Sequence, residues 1–285
     1  MPDALTAPTV GIETPSGKGA SDENFPVGSW LLPRALRPHV AAYYAFARAT
    51  DDIADNPALR PQDKIERLQA FAQALRNGSD DADLAKADRL RATCLATGVP
   101  LRHGLDLISA FKQDAVKPRY ASWDELIDYC DRSAAPVGRF LLDLHAEAVS
   151  LHPLSDALCN ALQVINHLQD CAADYAQLDR VYIPLAWMEA EGAQVADLSR
   201  PAATPALRRV LDRCVESTAV LVARARELPR EMRHRRLAAE TAIIVGIAET
   251  LVERLRRQDP LAMRVALGPL GFAGAAAGGL IRHWR

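Results

Sequence analysis

Two sequence motifs are the most informative about the fold: QVINHLQDCAAD at residues 163–174 and YAFARATDDIAD at residues 44–55. Each belongs to a run of helical pattern and ends in two aspartates that stand four residues apart. Because an α-helix turns about 100° per residue, side chains at positions i and i+4 share one face. The sequence therefore predicts two helices that each carry an acidic pair. The pairs are Asp51 with Asp55 and Asp170 with Asp174.

An acidic pair at this spacing has two interpretations. On an exposed helix the carboxylates repel each other at a cost of about a few tenths of a kcal/mol, and a lone pair usually marks a solvated face. A hard cation makes the close approach of the two carboxylates favourable, because Mg²⁺ prefers oxygen ligands and binds a few carboxylates together with substrate phosphates. Two matching helices favour this second interpretation. Opposed across a bundle, they would direct four carboxylates into a cavity suited to holding a diphosphate through Mg²⁺.

Other side chains share these faces or follow them. Tyr44 and Arg48 lie on the face of the first pair, and Gln163 and Asn166 lie on that of the second. Arg180 follows the second helix, and arginine suits phosphate oxygens because its planar fork donates two hydrogen bonds together. A hydrocarbon substrate would also need an apolar lining, although the candidate residues are equally typical of an ordinary helical core. These candidates are Tyr43, Tyr44, Phe46, Tyr129, Phe140, Leu141, Leu144 and Ile165.

Between residues 34 and 258 the pattern is helical throughout. Apolar residues recur at steps of three and four, and the alternation typical of strands is missing. Proline and glycine divide this body, but its composition does not shift and no internal repeat is present. We predict one all-α domain over residues 23–262, a helical bundle with a central cavity. Residues 1–22 are rich in Pro, Thr, Ser and Gly, which predicts a disordered segment.

The composition of the 285-residue chain excludes several classes of protein. Its 34 basic and 36 acidic residues give a net charge of −2, which argues against nucleic acid as a partner. Its five cysteines are odd in number and include no Cys-x-x-Cys pair, so neither a disulfide scaffold nor a cysteine zinc site is indicated. The N-terminus has no apolar core typical of a signal peptide, and we expect a cytoplasmic protein.

The C-terminal segment, residues 263–285, is rich in glycine and alanine. Residues 265–281 carry no charge, but this run is shorter than the about 20 apolar residues that a bilayer span requires. We expect a loosely packed tail. Contact with the inner face of a membrane, supported by Arg282, His283 and Arg285, is the alternative.

From about Asn24 to about Pro260 the chain resembles the squalene/phytoene synthase family. The resemblance rests on the two acidic motifs with their neighbours and on Tyr129-Cys130 followed by Val137-Gly138. It implies an isoprenoid synthase bundle with two or three Mg²⁺ ions. The residues that the resemblance implies for catalysis are Tyr44, Arg48, Asp51, Asp55, Asp170 and Asp174. Those implied as metal ligands are Asp51, Asp55, Asn166, Asp170 and Asp174. Those implied to bind the substrate are Asn24, Phe25, Asp52, Tyr129, Gln163, Asn166, Arg180 and Tyr182.

Within that family, residues 23–33 (ENFPVGSWLLP) are similar to the opening of the bacterial hydroxysqualene synthases. That similarity implies that presqualene diphosphate is ionised and its carbocation is captured by water, on the route to squalene and hopanoids. Gln169 and His167 depart from the family pattern. Ala248 stands where members that use NADPH place a tyrosine, so we expect no NADPH. Other enzymes of the squalene pathway are further expected partners.

Three alternatives stay open. The first is a head-to-head synthase that makes presqualene diphosphate, squalene or phytoene. The second is a non-catalytic member of the family that acts as an assembly or scaffold protein, although such members should lose the acidic motifs. The third, a di-iron carboxylate bundle, needs Glu-x-x-His on two helices, and the sequence contains only Glu231-x-x-His234.

Overall fold

A computed structural model of the chain describes residues 32–283. Within that range twelve α-helices form, and the only β-type pairing is an isolated bridge between Arg119 and Val181. The all-α prediction is therefore confirmed. The helices are α1 (Arg37–Asp55), α2 (Pro61–Asn77), α3 (Ala85–Thr97), α4 (Arg102–Asp114), α5 (Trp123–Ser133), α6 (Ala135–Leu144), α7 (His152–Leu178), α8 (Leu185–Glu191), α9 (Pro205–Ala225), α10 (Leu228–Glu231), α11 (Arg235–Arg257) and α12 (Pro269–His283).

The ends of the helices follow local sequence signals. Gly98 ends α3 in the left-handed conformation, with φ of 76°, which glycine adopts without steric cost. Ser122 caps α5 by accepting a hydrogen bond from the backbone amide of Glu125 at 3.2 Å. The Glu125 carboxylate reaches back one residue further than a capping box requires, to the amide of Ala121.

α7 is the central helix of the bundle. It packs against α5, α6, α9 and α11, whereas α1 packs against α2, α3 and α4. One contiguous core of buried side chains joins these helices, with Phe46, Phe71 and Phe140 among its largest members. The two helices with the acidic pairs, α1 and α7, thus belong to neighbouring parts of one bundle.

The expectation of a loosely packed tail is wrong for residues 269–283, which form α12. This helix packs closely on α11 because small residues let the two backbones meet. A Cβ atom on Gly279 would overlap the carbonyl oxygen of Ala242, and one on Gly246 would overlap that of Ala275. The helical body therefore continues past residue 262. Among residues 32–283, no helix is both long and apolar enough to cross a membrane.

Several predictions lie outside the described residues. They are the disorder of residues 1–22, the substrate contacts of Asn24 and Phe25, and the surface role of Arg285.

Candidate active site

A cavity of about 430 Å³ runs through the bundle. It brings together eleven of the residues singled out from the sequence, although these come from α1, α5, α7 and the loop after α7. The eleven are Tyr44, Arg48, Asp51, Asp55, Tyr129, Gln163, Asn166, Asp170, Asp174, Arg180 and Tyr182. The cavity is therefore the candidate active site.

Arg180 is positioned by the turn that ends α7. Asp179 adopts a left-handed conformation, with φ of 50°, and reverses the chain direction. The loop is pinned because Val181 donates a backbone hydrogen bond to Pro118 at 2.8 Å and Arg119 pairs with Asp179 at 2.6 Å. This turn aims the Arg180 side chain back into the cavity.

The Arg180 guanidinium joins the loop after α7 to the end of α1. Its Nη1 donates to Asp55 Oδ1 at 2.5 Å, and its Nη2 donates to the carbonyl oxygen of Ala54 at 2.8 Å. Burial acts to lower the pKa of Arg180, but Tyr182, Asp114 and Asp55 outweigh it and raise that pKa. The cavity therefore holds a permanent positive charge beside the acidic pair of α1.

Arg48 occupies the same end of the cavity and binds two carboxylates of its own helix. Its Nη2 lies 2.9 Å from Asp51 Oδ2 and 2.8 Å from Asp52 Oδ1. Asp51 lines the cavity, whereas Asp52 is buried behind Arg48 and does not. Asp52 points away from the cavity because consecutive residues on a helix point about 100° apart, and its contact with substrate stays a prediction. Asp52 holds Arg48 in place.

The acidic pairs fit a divalent cation. The exposed 31 % of Asp51 faces the cavity, and desolvation together with the charge of Asp55 raises its pKa well above the usual range. Such crowding is relieved when a dication binds between carboxylates. Within residues 32–283, however, no three His, Cys, Asp or Glu side chains are grouped to hold a metal by themselves. Each pair can supply two oxygen ligands, and other ligands must complete the site.

Asp114, the last residue of α4, is a cavity residue that the sequence analysis missed. Its carboxyl accepts hydrogen bonds from the hydroxyl of Tyr129 at 2.5 Å and from that of Tyr182 at 3.2 Å. Burial raises the pKa of Asp114 to about 6, although Arg180 opposes this. One signal could have found it: Asp114 follows Leu107 and Phe111 on the apolar face of α4, where an unpaired acid is unusual.

His167 lies flat against one of these tyrosines. Its ring is stacked on Tyr182 with centroids 3.6 Å apart and planes 13° apart. Burial, with a smaller contribution from Arg180, lowers the pKa of His167 to about 3, so the ring is neutral. Gln163 Nε2 lies 3.3 Å from His167 Nε2. This wall of the cavity therefore combines electron-rich rings with neutral polar groups.

The opposite end of the cavity is mainly apolar, although its lining also includes Ser155, Glu240 and Thr241. Along α7 the lining extends from Asp174 back to Ser155, which is about 28 Å at 1.5 Å per residue. Leu228, Met232 and Leu237 line it further. Of the predicted apolar lining, five residues contact the cavity, whereas Phe46, Leu144 and Ile165 belong to the core. The five are Tyr43, Tyr44, Tyr129, Phe140 and Leu141.

Known proteins are similar to this chain in sequence and in architecture. A sequence model of squalene/phytoene synthases matches residues 19–270. The hydroxysqualene synthase of Zymomonas mobilis is 44 % identical over 93 % of this chain and 90 % of its own length. That of Rhodopseudomonas palustris is 42 % identical over 95 % and 92 %.

Solved structures agree with these matches. The squalene synthase HpnC from Alicyclobacillus acidocaldarius superposes with a TM-score of 0.73 at 35 % identity, over 81 % of this chain and 87 % of that one. A dehydrosqualene synthase superposes with a TM-score of 0.76 over 90 % of each chain, and its 19 % identity supports the fold alone.

The helical bundle and its carboxylate-lined cavity place the protein in the class of isoprenoid synthase folds. More closely, the chain belongs to the squalene/phytoene synthase family. It is a synthase that processes prenyl diphosphates.

Proposed function

We propose that the protein converts presqualene diphosphate to hydroxysqualene with release of diphosphate, in the biosynthesis of squalene and hopanoids. One observation carries the proposal: four carboxylates and two arginines line one end of an elongated cavity whose remainder is mainly apolar. This arrangement fits a ligand with a diphosphate head and a long hydrocarbon body. The two relatives described above, both hydroxysqualene synthases, support the choice within the family.

Mg²⁺ is the proposed cofactor, held by the two acidic pairs with help from the side-chain oxygen of Asn166. When bound with the diphosphate, it neutralises negative charge that builds up on the leaving group. Each acidic pair would supply only some of the oxygen ligands that Mg²⁺ takes, so substrate phosphate oxygens and water would have to supply the others. The number of ions, two or three, follows from the family resemblance.

Arg48 and Arg180 supply further positive charge at the same end. Their guanidinium groups are held in place by Asp52 and by Asp55, so they need little rearrangement when charge develops on the diphosphate. Preorganised charge of this kind stabilises a transition state more than a ground state. The residues of this end therefore promote cleavage of the carbon–oxygen bond, with both electrons leaving on the diphosphate.

The carbocation would lie against the cavity wall formed by Tyr129, Tyr182 and His167. Tyr129 and Tyr182 donate their hydroxyl protons to Asp114, so their oxygen lone pairs and electron-rich rings remain available to the cavity. A cation next to such rings is stabilised electrostatically. The reaction ends when a water oxygen bonds to the cationic carbon and the surplus proton leaves with diphosphate or solvent. Gln163, Asn166 and neutral His167 are the candidates for positioning that water.

No reductant takes part in this reaction. Ala248, which the family resemblance places where members that use NADPH have a tyrosine, is fully buried in α11. The absence of an NADPH requirement stays a prediction.

A product analysis tests the proposal. The purified protein is incubated with presqualene diphosphate and Mg²⁺ without NADPH, and the extracted lipids are analysed. We expect hydroxysqualene. Squalene that forms only after NADPH is added, or no product at all, would refute the assignment. A parallel incubation with farnesyl diphosphate tests the head-to-head alternative, which predicts presqualene diphosphate.

A further inference from the structure

A strongly basic surface lies outside the cavity, on residues 224–236, which we call the basic segment. It spans the end of α9, α10 and the start of α11. Six of its residues are arginines and two are glutamates, in a chain whose net charge is −2. All six arginines are exposed: Arg224, Arg226, Arg230, Arg233, Arg235 and Arg236.

The basic segment is anchored to the bundle at Arg233 and His234, whereas its arginine side chains are exposed. Buried Glu147 accepts hydrogen bonds from the backbone amides of Arg233 at 3.0 Å and His234 at 2.7 Å. Within residues 32–283 the guanidinium groups of Arg233, Arg235 and Arg236 have no carboxylate partner. Their charges are therefore available to a binding partner.

α12 presents an apolar face to solvent. Leu270 is 90 % exposed and Ile281 is 54 % exposed. Between them Ala273, Gly274 and Ala277 are exposed on the same side of the helix, at steps of three and four residues. The opposite side of α12 is already buried on α11 through Ala275 and Gly279. The exposed side is an apolar stripe that the described part of the protein leaves uncovered.

The apolar stripe and the basic segment adjoin each other. Arg230 Nη2 donates to the backbone carbonyl of Arg282, near the end of α12, at 3.2 Å. Glu249 accepts hydrogen bonds from both Arg226 and Arg282, so it ties the two elements together. One continuous surface thus carries apolar side chains bordered by arginines.

We propose that this surface docks the protein onto an anionic phospholipid bilayer. α12 is about 22 Å long, shorter than the about 30 Å hydrocarbon core, so it would lie in the interface rather than cross it. Apolar side chains would enter the acyl boundary while arginines bind lipid phosphates. A second copy of this chain is a poorer occupant, because a twofold contact would set its basic segment against another.

Docking in this orientation would bring lipid close to the apolar end of the cavity. The inner side of the basic segment carries Leu228, Met232 and, one residue beyond it, Leu237, which line that end. The outer side of the same segment carries the arginines. A long hydrocarbon ligand would therefore have its apolar portion nearest the bilayer.

Vesicle sedimentation tests the proposal with the full chain and no substrate, so the result does not depend on the proposed reaction. We expect the protein to co-sediment with phosphatidylglycerol vesicles, weakly or not at all with phosphatidylcholine vesicles, and less as NaCl rises. Equal sedimentation with both lipids, or none with either, would overturn the proposal.

The combined variant R233E, R235E and R236E tests the arginines. Glutamate at the start of α11 suits the helix dipole, so this variant should keep its fold. We expect its affinity for anionic vesicles to fall roughly tenfold or more. The control variant R76E, R89E and R102E reverses the charge of exposed arginines in α2, α3 and α4, and it should change the affinity little. Equal losses in both variants would contradict a specific surface.

The double variant L270E and I281E tests the apolar stripe. It should abolish vesicle binding, whereas L95E with V220E, at exposed apolar sites elsewhere, should not. Sedimentation velocity of the unmodified protein and of all four variants tests the rival occupant, a second copy of this chain. A dimer that L270E and I281E dissociates, without any vesicle binding by the unmodified protein, would assign the stripe to self-association and overturn the proposal.

Discussion

Arg180 and Asp55, 125 residues apart in sequence, meet in a hydrogen bond of 2.5 Å at one end of the cavity. Asp55 is the last residue of α1, and Arg180 follows the turn that ends α7. This contact fixes the relative position of two parts of the chain that each carry an acidic pair. The geometry of the proposed diphosphate site therefore depends on a bond that neither helix makes alone.

Replacing Arg180 with lysine keeps the charge but removes the planar fork that binds both Asp55 and the carbonyl of Ala54. We expect kcat/KM for presqualene diphosphate to fall by about ten- to a hundredfold, because a point charge orients phosphate less well. Steady-state kinetics measures the change. The control is Arg139→Lys, which removes a comparable bidentate pair with Asp156 outside the cavity lining. If both variants lose activity equally, the role of Arg180 is only structural.

Asp51→Asn and Asp170→Asn should each lower kcat by about a hundredfold or more while circular dichroism shows unchanged helical content. Each removes one negatively charged ligand from an acidic pair. Asp128→Asn, on the exposed side of α5, is the matched control and should keep full activity. Substantial turnover in both cavity variants would remove the metal-site assignment.

Mg²⁺ should bind weakly to the protein alone and roughly tenfold or more tightly in the presence of inorganic diphosphate. The reason is that no three acidic or histidine side chains within residues 32–283 form a complete site. Isothermal titration calorimetry with and without diphosphate measures the difference. No binding in either condition would favour the alternative of a non-catalytic assembly protein.

Asp114→Asn should alter how stability depends on pH. The pKa of Asp114 is about 6 in the folded protein against an ordinary value of 3.8, so the unfolded chain loses this proton first as pH rises. The unfolded state then binds fewer protons, and this residue lowers the free energy of unfolding between about pH 4 and pH 6, by at most about 3 kcal/mol. Urea denaturation at several pH values should show the wild type losing stability relative to Asp114→Asn across that window. Parallel pH profiles would contradict the assignment.

Gly279→Ala should destabilise the protein by about 1–3 kcal/mol, because the added methyl group meets the backbone of Ala242, which cannot rotate away. Gly274→Ala is the control on the same helix. Its Cβ meets nothing within 4 Å, so it should stabilise the helix by about 0.5–1 kcal/mol. Thermal or urea unfolding measures both. Equal effects would show that α12 does not pack as described.

The sequence predicted the acidic end of the site because that end depends on local spacing. Aspartates at i and i+4 must share a helix face, and the aromatic and amide residues around them follow from the same periodicity. The prolines and glycines that divide the helices act equally locally. These features were accessible before any tertiary contact was known.

The features that the sequence analysis missed depend on tertiary contacts. Asp114 is a single acid on α4, and only the approach of Tyr129 and Tyr182 gives it a role. Asp52 resembles its neighbour Asp51 in sequence, but its direction on α1 places it behind Arg48. The packing of α12 depends on the close approach of Gly246 and Gly279 across two helices. From composition alone, the same glycines predicted a loosely packed tail.

In the proposed reaction the protein ionises a prenyl diphosphate and water captures the resulting cation. The most direct measurement is to run the reaction with presqualene diphosphate and Mg²⁺ in ¹⁸O-labelled water and to determine the oxygen isotope in the product by mass spectrometry. We expect hydroxysqualene that carries one ¹⁸O atom, because the carbon–oxygen bond to diphosphate breaks. An alcohol without label, which would mean cleavage on the phosphorus side, or a hydrocarbon product, would contradict it.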